Sequence, residues 1–351
     1  MRLKLGALLV ASVAAFVPTH EIAACTRVVY LGLEGAVITA RSLDWISDMK
    51  TDLWAFPRGL QRDGASGPKS IQWASKYGSV VASVYNAASA DGVNERGLVA
   101  NLLWLSESQY VTPGPDDQRR PLANSAWVQY VLDNYASVAE AIEDMRKEPF
   151  YVTAIVLDGR PVQVHLSLSD ASGDSAVVEY LDGKLTIHHG RQYQVMTNSP
   201  PYGQQLALYA YWATVGGNAM LPGTVRAADR FVRMSYYVKA VKQTGNSQEA
   251  VATGLSLIRN ASAPLGATPP AYEPDEGETL WRTVTDHKNR RYYFDSPRSP
   301  NVFWVDLADL DLAVGGPTRK LELVDGTIYA GNASTKFEKA EPFKFLAAPM
   351  K

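Results

Sequence analysis

The chain is predicted to form a single α+β domain with a layered core, on three observations. Runs of β-branched and aromatic residues open and close the chain, and helical periodicity is confined to blocks between them. No segment recurs at the spacing of roughly 20–50 residues that marks a solenoid or propeller. The 351 residues, 46% hydrophobic and 20% charged, suffice for one large core and exclude disorder and disulfide-scaffold classes.

The elements follow in order. Residues Met1–Ala24 read as an export signal: Arg2 and Lys4 form a positive start, Leu5–Val17 is uncharged and apolar, and small residues end at Ala23-Ala24. That apolar stretch is too short to span a bilayer, which takes ~20 residues, and no other run reaches that length. The domain is therefore expected over 25–351, starting at Cys25 once the signal is removed. Thr26–Leu31 and Ala36–Arg41 flank the turn Gly32–Gly35 and predict a hairpin. Tyr77–Tyr85 is a further apolar run, Ala90–Gly97 a turn-rich segment and Leu98–Leu105 a buried strand.

Trp127, Val131, Val138 and Ile142 predict one helix over Ser125–Lys147 with Asn124 as its N-cap. Strands are expected at Thr153–Leu157, Val162–Leu168, Ala176–Leu181 and Lys184–His188, the last two joined by an Asp182-Gly183 turn. Helices are expected at Gln204–Thr214, Asp229–Gln243 and Ser247–Arg259. Strands close the chain at Leu280–Asp286, Arg291–Asp295 and Asn301–Val305. Pro57–Lys69 and Asn260–Thr279 read as surface loops.

A formal charge of −2 gives no electrostatic footprint for nucleic acid. One cysteine excludes internal disulfides and cysteine-based metal sites. The five histidines form no metal-binding motif: His20 leaves with the signal, and neighbouring His188 and His189 would point to opposite faces of a strand. No metal or cofactor is expected.

Cys25 admits three readings: an inert buried thiol, the lipid-bearing residue of an Ile22-Ala23-Ala24-Cys25 lipoprotein box, or a catalytic nucleophile. In the last, one residue carries both nucleophile and general base. An α-amine with a pKa of ~7.7–8.0 can take the proton of a thiol at ~8.5 for about a kcal/mol.

The residues downstream carry a resemblance. Cys25-Thr26-Arg27, Arg41-Ser42-Leu43-Asp44, Asn94-Glu95-Arg96-Gly97-Leu98, Thr197-Asn198-Ser199-Pro200 and Arg230-Phe231-Val232-Arg233 follow in that order. The stretches His165–Tyr180 and Trp281–Leu307 add to the likeness. Together these resemble the choloylglycine hydrolase family, which contains penicillin V acylases and conjugated bile salt hydrolases. The resemblance implies a four-layer αββα N-terminal-nucleophile fold and hydrolysis of linear amide C–N bonds. It further implies Cys25 as nucleophile, Arg41 as the cation beside the thiol and Asp44 as the carboxylate holding the α-amine. Asn198 is implied as the side-chain oxyanion donor and Arg230 as a second active-site arginine.

One departure bears on substrate. The bile salt hydrolases carry an asparagine shortly after the Asn-Glu-x-Gly-Leu motif, where this chain has Trp104; Asn101 lies three residues earlier and points elsewhere. A backbone N–H then supplies the second oxyanion donor, while Trp104 and Tyr85 are candidate walls of an apolar acyl pocket. The chain between Asn198 and Arg230 is also shorter than in the bile salt enzymes. Both features resemble the Gram-negative branch of penicillin V acylases and N-acyl-homoserine lactone acylases. The expected protein is a periplasmic amidohydrolase acting on a small N-acyl amide, and the family implies a homotetramer. The rivals are a bile salt hydrolase and a lipid-anchored periplasmic binding protein without catalysis.

Overall fold

In the computed structural model, residues 25–157, 159–216, 219–266, 277–323 and 326–349 are described. The expected signal Met1–Ala24 lies outside the described residues, as does the middle of the expected loop Asn260–Thr279. The first strand, Thr26–Leu31, turns and returns as Val37–Trp45, with Thr26 opposite Ser42 and Leu31 opposite Val37. Glu34 and Gly35 close the turn with φ of 52° and 76°, a left-handed pair matching the twist of the flanking strands. Every residue from Val37 to Asp44 is buried, as befits strands in a sheet covered on both faces.

This hairpin lies in a sheet that, among the described residues, has seven strands. Their order is Val195–Met196, Thr26–Leu31, Val37–Trp45, Glu278–Asp286, Arg291–Asp295, Val302–Asp306, Gly331–Asn332. A second sheet of nine strands runs Lys184–His189, Ser175–Leu181, Val164–Ser169, Val99–Trp104, Ala88–Asn94, Ser79–Val84, Leu53–Phe56, Arg319–Leu321, Glu338–Lys339.

Helices α1 (Trp127–Asn134) and α2 (Val138–Met145) cover the outer face of the second sheet. Helices α4 (Ala227–Ala240) and α5 (Ser247–Ala261) cover that of the first, and α3 (Tyr202–Val215) packs on α4. The architecture is the expected single α+β domain in four αββα layers. Val28, Tyr30, Ile38 and Val284 meet Phe231, Met234 and Ile258 in one apolar layer. Val81, Ala100, Leu166 and Val178 meet Trp127, Val131 and Ile142 in the other.

The expected helix Ser125–Lys147 is two. Its chain turns extended at Tyr135 and restarts where the Ser137 hydroxyl accepts from Glu140 N–H. Asp170, from another strand, takes the Val138 N–H at 2.8 Å. Asn124 caps nothing: its amide donates to Val162 O at 2.8 Å and its oxygen accepts from Ile155 N–H. Ala90–Gly97 is mostly strand, and the turn is confined to Glu95–Gly97, where Asn94 Oδ1 accepts from the Arg96 and Leu98 N–H groups. The expected loop Pro57–Lys69 contains a short strand, Gln61–Asp63, paired with Gln72–Ala74.

Gly254 lets α5 lie close on the first sheet, because a Cβ there would sit 2.7 Å from Ile38 Cγ2 and 3.3 Å from Val284 Cγ1. Gly254→Leu is expected to lower stability by about 1–3 kcal/mol through overpacking. Gly203→Ala in α3, where a Cβ meets nothing, should stabilise by about 0.4–1 kcal/mol. Thermal melts of the two variants check both signs.

Candidate active site

Alternation along the first hairpin sorts its side chains onto two faces. Arg27 and Arg41 reach across the gap between the sheets, donating to Leu168 O at 2.8 Å and Leu102 O at 3.0 Å. Thr26, Ser42 and Asp44 face the helical layer, where Thr26 Oγ1 accepts from Arg230 of α4. Cys25, one residue beyond the last pair of the hairpin, shares the gap face with Arg41. Its neighbours therefore come from both sides of one sheet.

The thiol is 4% exposed. Arg41 Nη2 lies 3.9 Å from Sγ, and Sγ lies 4.0 Å from Asp44 O. Burial pushes the thiol above its ordinary value, and the Arg41 guanidinium is the main influence pulling it back. Arg41 stacks on the Trp281 ring with Cζ 4.4 Å from the centroid. Its Nε and Nη1 make no hydrogen bond, and this cation–π contact, worth about 2 kcal/mol when desolvated, is what they have instead.

Asp44 is wholly buried, and burial raises its carboxyl to about 6 against the pull of Arg230, the Thr279 and Ser42 hydroxyls and Arg41. Ser42 Oγ donates to Oδ2 at 3.2 Å. Oδ1 has no hydrogen-bond partner among the described residues. Asp44 sits one strand position past Leu43, on the side where the backbone nitrogen of Cys25 enters the hairpin.

Arg230 closes the site from α4. Its guanidinium donates to Cys25 O at 2.6 Å, to Thr26 Oγ1, to Asn198 Oδ1 at 3.0 Å and to Val225 O at 2.7 Å. Asn198 is fixed at both ends, since its Nδ2 donates to Trp104 O at 2.8 Å. An amide nitrogen carries two hydrogens, so one donor remains. The five residues Cys25, Arg41, Asp44, Asn198 and Arg230 are thus brought together from four separate stretches of chain.

Cys25 lies in the wall of an apolar cavity of about 350 Å³ between the sheets. Both aromatic candidates line it. Trp104 meets Trp45 with ring centroids 5.6 Å apart. Tyr85, 38% exposed, stands at the rim on a turn where it and Asn86 both have positive φ, 54° and 48°. Asn86 locks that turn, accepting from Trp54 Nε1–H and donating to Asp52.

Sequence reasoning missed Trp45, Ile155 and Leu346 as lining residues. Trp45 is the next residue after the Arg41–Asp44 motif, a signal that was available. Leu346 gave none, because it arrives from the chain end, pinned by Leu346 N–H to Ala87 O and by Ser125 Oγ to Leu346 O, each 2.7 Å. Among the described residues no group of His, Cys, Asp and Glu could hold a metal ion, and no helix is long and apolar enough to cross a membrane.

The comparisons with known proteins agree with this geometry. A profile of the linear amide C–N hydrolases, choloylglycine hydrolase family, matches residues 25–325. A penicillin V acylase of Pectobacterium atrosepticum is 50% identical over 346 residues, 92% of each chain. A bile salt hydrolase/transferase of Bifidobacterium longum is 24% identical, over 82% of this chain and 96% of its own. The solved penicillin V acylase of Agrobacterium tumefaciens superposes with a TM-score of 0.85 at 52% identity, over 92% of this chain and all of the other. A conjugated bile acid hydrolase variant from Clostridium perfringens superposes at 0.73 and 18% identity, over 87% of this chain and 99% of its own, a likeness of fold. A buried thiol beside a cation and a carboxylate, on this fold and with these relatives, gives one conclusion: the chain belongs to the choloylglycine hydrolase family of linear amide C–N hydrolases.

Proposed function

We propose that the protein is exported, cleaved before Cys25, and acts in the periplasm as a penicillin V acylase-type amidohydrolase with Cys25 as N-terminal nucleophile. The observation that carries this reading is Cys25 in the wall of an apolar cavity of acyl-group size, with a buried Asp44 carboxylate oxygen nearby on the same hairpin that has no hydrogen-bond partner among the described residues. A freed α-ammonium at Cys25 would supply that partner. The neutral amine takes the thiol proton as sulfur attacks the acyl carbonyl. The second Nδ2–H of Asn198 and a backbone N–H stabilise the oxyanion, an arrangement worth about 2.7–4 kcal/mol per donor. The amine then protonates the leaving nitrogen as the C–N bond breaks, and water activated by the same amine hydrolyses the thioester.

The cavity takes the acyl group and leaves the amine product outside. Identity of 50–52% to penicillin V acylases supports an aryloxyacetyl amide, and the apolar cavity equally suits the linear acyl chain of an N-acyl-homoserine lactone. A bile salt is the weaker reading, because identity to the bile salt hydrolases is only about half of that to the penicillin V acylases. Helix α3 leaves Leu208, Tyr211 and Val215 exposed, an apolar face that supports the homotetramer the family resemblance implies.

Cys25→Ala should abolish turnover of penicillin V and leave the melting temperature within a few degrees of wild type. A chain retaining Ala24 should be equally inactive, because its Cys25 nitrogen is an amide. Intact mass, N-terminal sequencing and turnover assays on the same samples check this; normal turnover by the extended chain would sink the mechanism.

Asp44 gives a pH test. With the Ala24–Cys25 bond intact, its folded pKa of about 6 lies above the unfolded value of ~3.9. The folded state therefore holds the proton more tightly. Stability from this group is full below about pH 4 and is lost as pH rises through about 6, a loss of about 2–3 kcal/mol. Asp44→Asn should outlast the parent by a margin that opens between these values and then levels. In chains starting at Cys25 the α-ammonium should shrink that margin. Thermal melts from pH 4 to 8 measure both.

Leu346 should limit acyl length. Leu346→Trp is expected to cut kcat/KM for the longest accepted acyl chain by about tenfold or more, with short acyl amides little affected. A series of N-acyl amides differing in chain length reads this directly.

A further inference from the structure

His165 and Glu179 are wholly buried, lie on neighbouring strands and stay outside the acyl cavity. His165 Nε2 is 2.8 Å from Thr197 O, and Nδ1 is 3.0 Å from Glu179 Oε1. A carbonyl oxygen only accepts, so Nε2 carries a hydrogen. Glu179 also accepts from Tyr202 N–H, at 3.1 and 3.2 Å to its two oxygens. A second proton must therefore lie between Nδ1 and Oε1, or two lone pairs would face each other in a dry interior. The two groups share one proton across the 3.0 Å contact.

Both ends of this pair terminate on one short segment. Thr197 precedes Asn198, and Tyr202 opens α3, whose N-cap Pro201 offers no side-chain bond. Glu179 thus takes the place of a helix cap from a neighbouring strand, at the end where a negative charge is favoured. Gln205 ties the same segment from within, donating to Pro200 O at 2.7 Å and to Asn198 O. A buried polar pair is a poor way to gain stability, since an apolar pair of equal volume does as well or better. What this pair adds is a directional hold on the residues either side of Asn198.

We infer that His165 and Glu179 are positioning residues for Asn198, setting the aim of its amide at the oxyanion. This rests on the proposed role of Asn198 as oxyanion donor. His165→Asn keeps a donor toward Glu179 and removes the bond to Thr197 O. Glu179→Gln keeps a hydrogen bond to each partner, its amide donating to His165 Nδ1 and its oxygen accepting from Tyr202 N–H.

The experiment measures penicillin V hydrolysis by the mature enzyme in wild-type and Asn198→Ala backgrounds. His165→Asn should lower kcat about thirtyfold with KM within threefold in the wild-type background, and change kcat less than threefold where Asn198 is already alanine. Glu179→Gln should retain kcat within about threefold. Equal losses from His165→Asn in both backgrounds, or no loss in either, would overturn the inference. An Asn198→Ala enzyme as active as wild type would instead overturn the role of Asn198 itself, and an inactive wild type the substrate reading.

Discussion

The site depends on the guanidinium of Arg230. From α4 it holds Cys25 O, Thr26 Oγ1 and Asn198 Oδ1 at once. Those atoms belong to the first residues that the family profile matches and to a segment some 170 residues later. A rigid planar fork can hold all three acceptors together, where a lysine could offer only a point charge. The nearby Asp44 carboxylate, which Arg230 pulls toward ionisation, balances the buried charge.

The same economy of charge runs through the gap between the sheets. Arg27 is wholly buried with carbonyl and hydroxyl partners, Leu168 O, Tyr193 O and Ser175 Oγ. Burial lowers its pKa to about 9, so it stays charged at neutral pH. Asp91 accepts from Asn101 Nδ2 at 2.6 Å, Thr283 Oγ1 at 3.2 Å and Tyr292 OH. Such groups stabilise a fold only when each is satisfied, and otherwise cost it. The apolar layers on the outer faces of the sheets supply stability that offsets the cost of these buried polar groups. In turn, the gap keeps a thiol and a cation apart from water.

How much of this could be read from sequence follows from which interactions are local. The first hairpin, the Asp182-Gly183 turn and helices α3 to α5 carry their own turn residues and periodicity. Their expected positions match within a few residues. The five site residues were found through ordered motifs, and the structure gathers them. The helix over Ser125–Lys147 failed because Trp127, Val131, Val138 and Ile142 are core residues whether or not the helix breaks. The break itself answers to Asp170, more than 30 residues away. Asn124 looked like a cap because its partners, Ile155 and Val162, come from a later strand region. That His165 bonds to Thr197, beside Asn198, is visible only once the strands are paired.

The cavity beside Cys25 draws its wall from distant parts of the chain. The thiol, the cation and the carboxylate come from residues 25 to 44, a single hairpin whose register places them. The wall of the acyl cavity takes Trp45 and Trp104 from the strands and Leu346 from the terminal segment. Phe343 seats that segment against Trp54 and Phe56, and Phe345 packs on Phe343. The family profile ends at residue 325, before this wall is complete. The ordered motifs all lie within the matched stretch, whereas Leu346 lies outside it. This is why the motifs identify the bond that is cut more firmly than the acyl group attached to it.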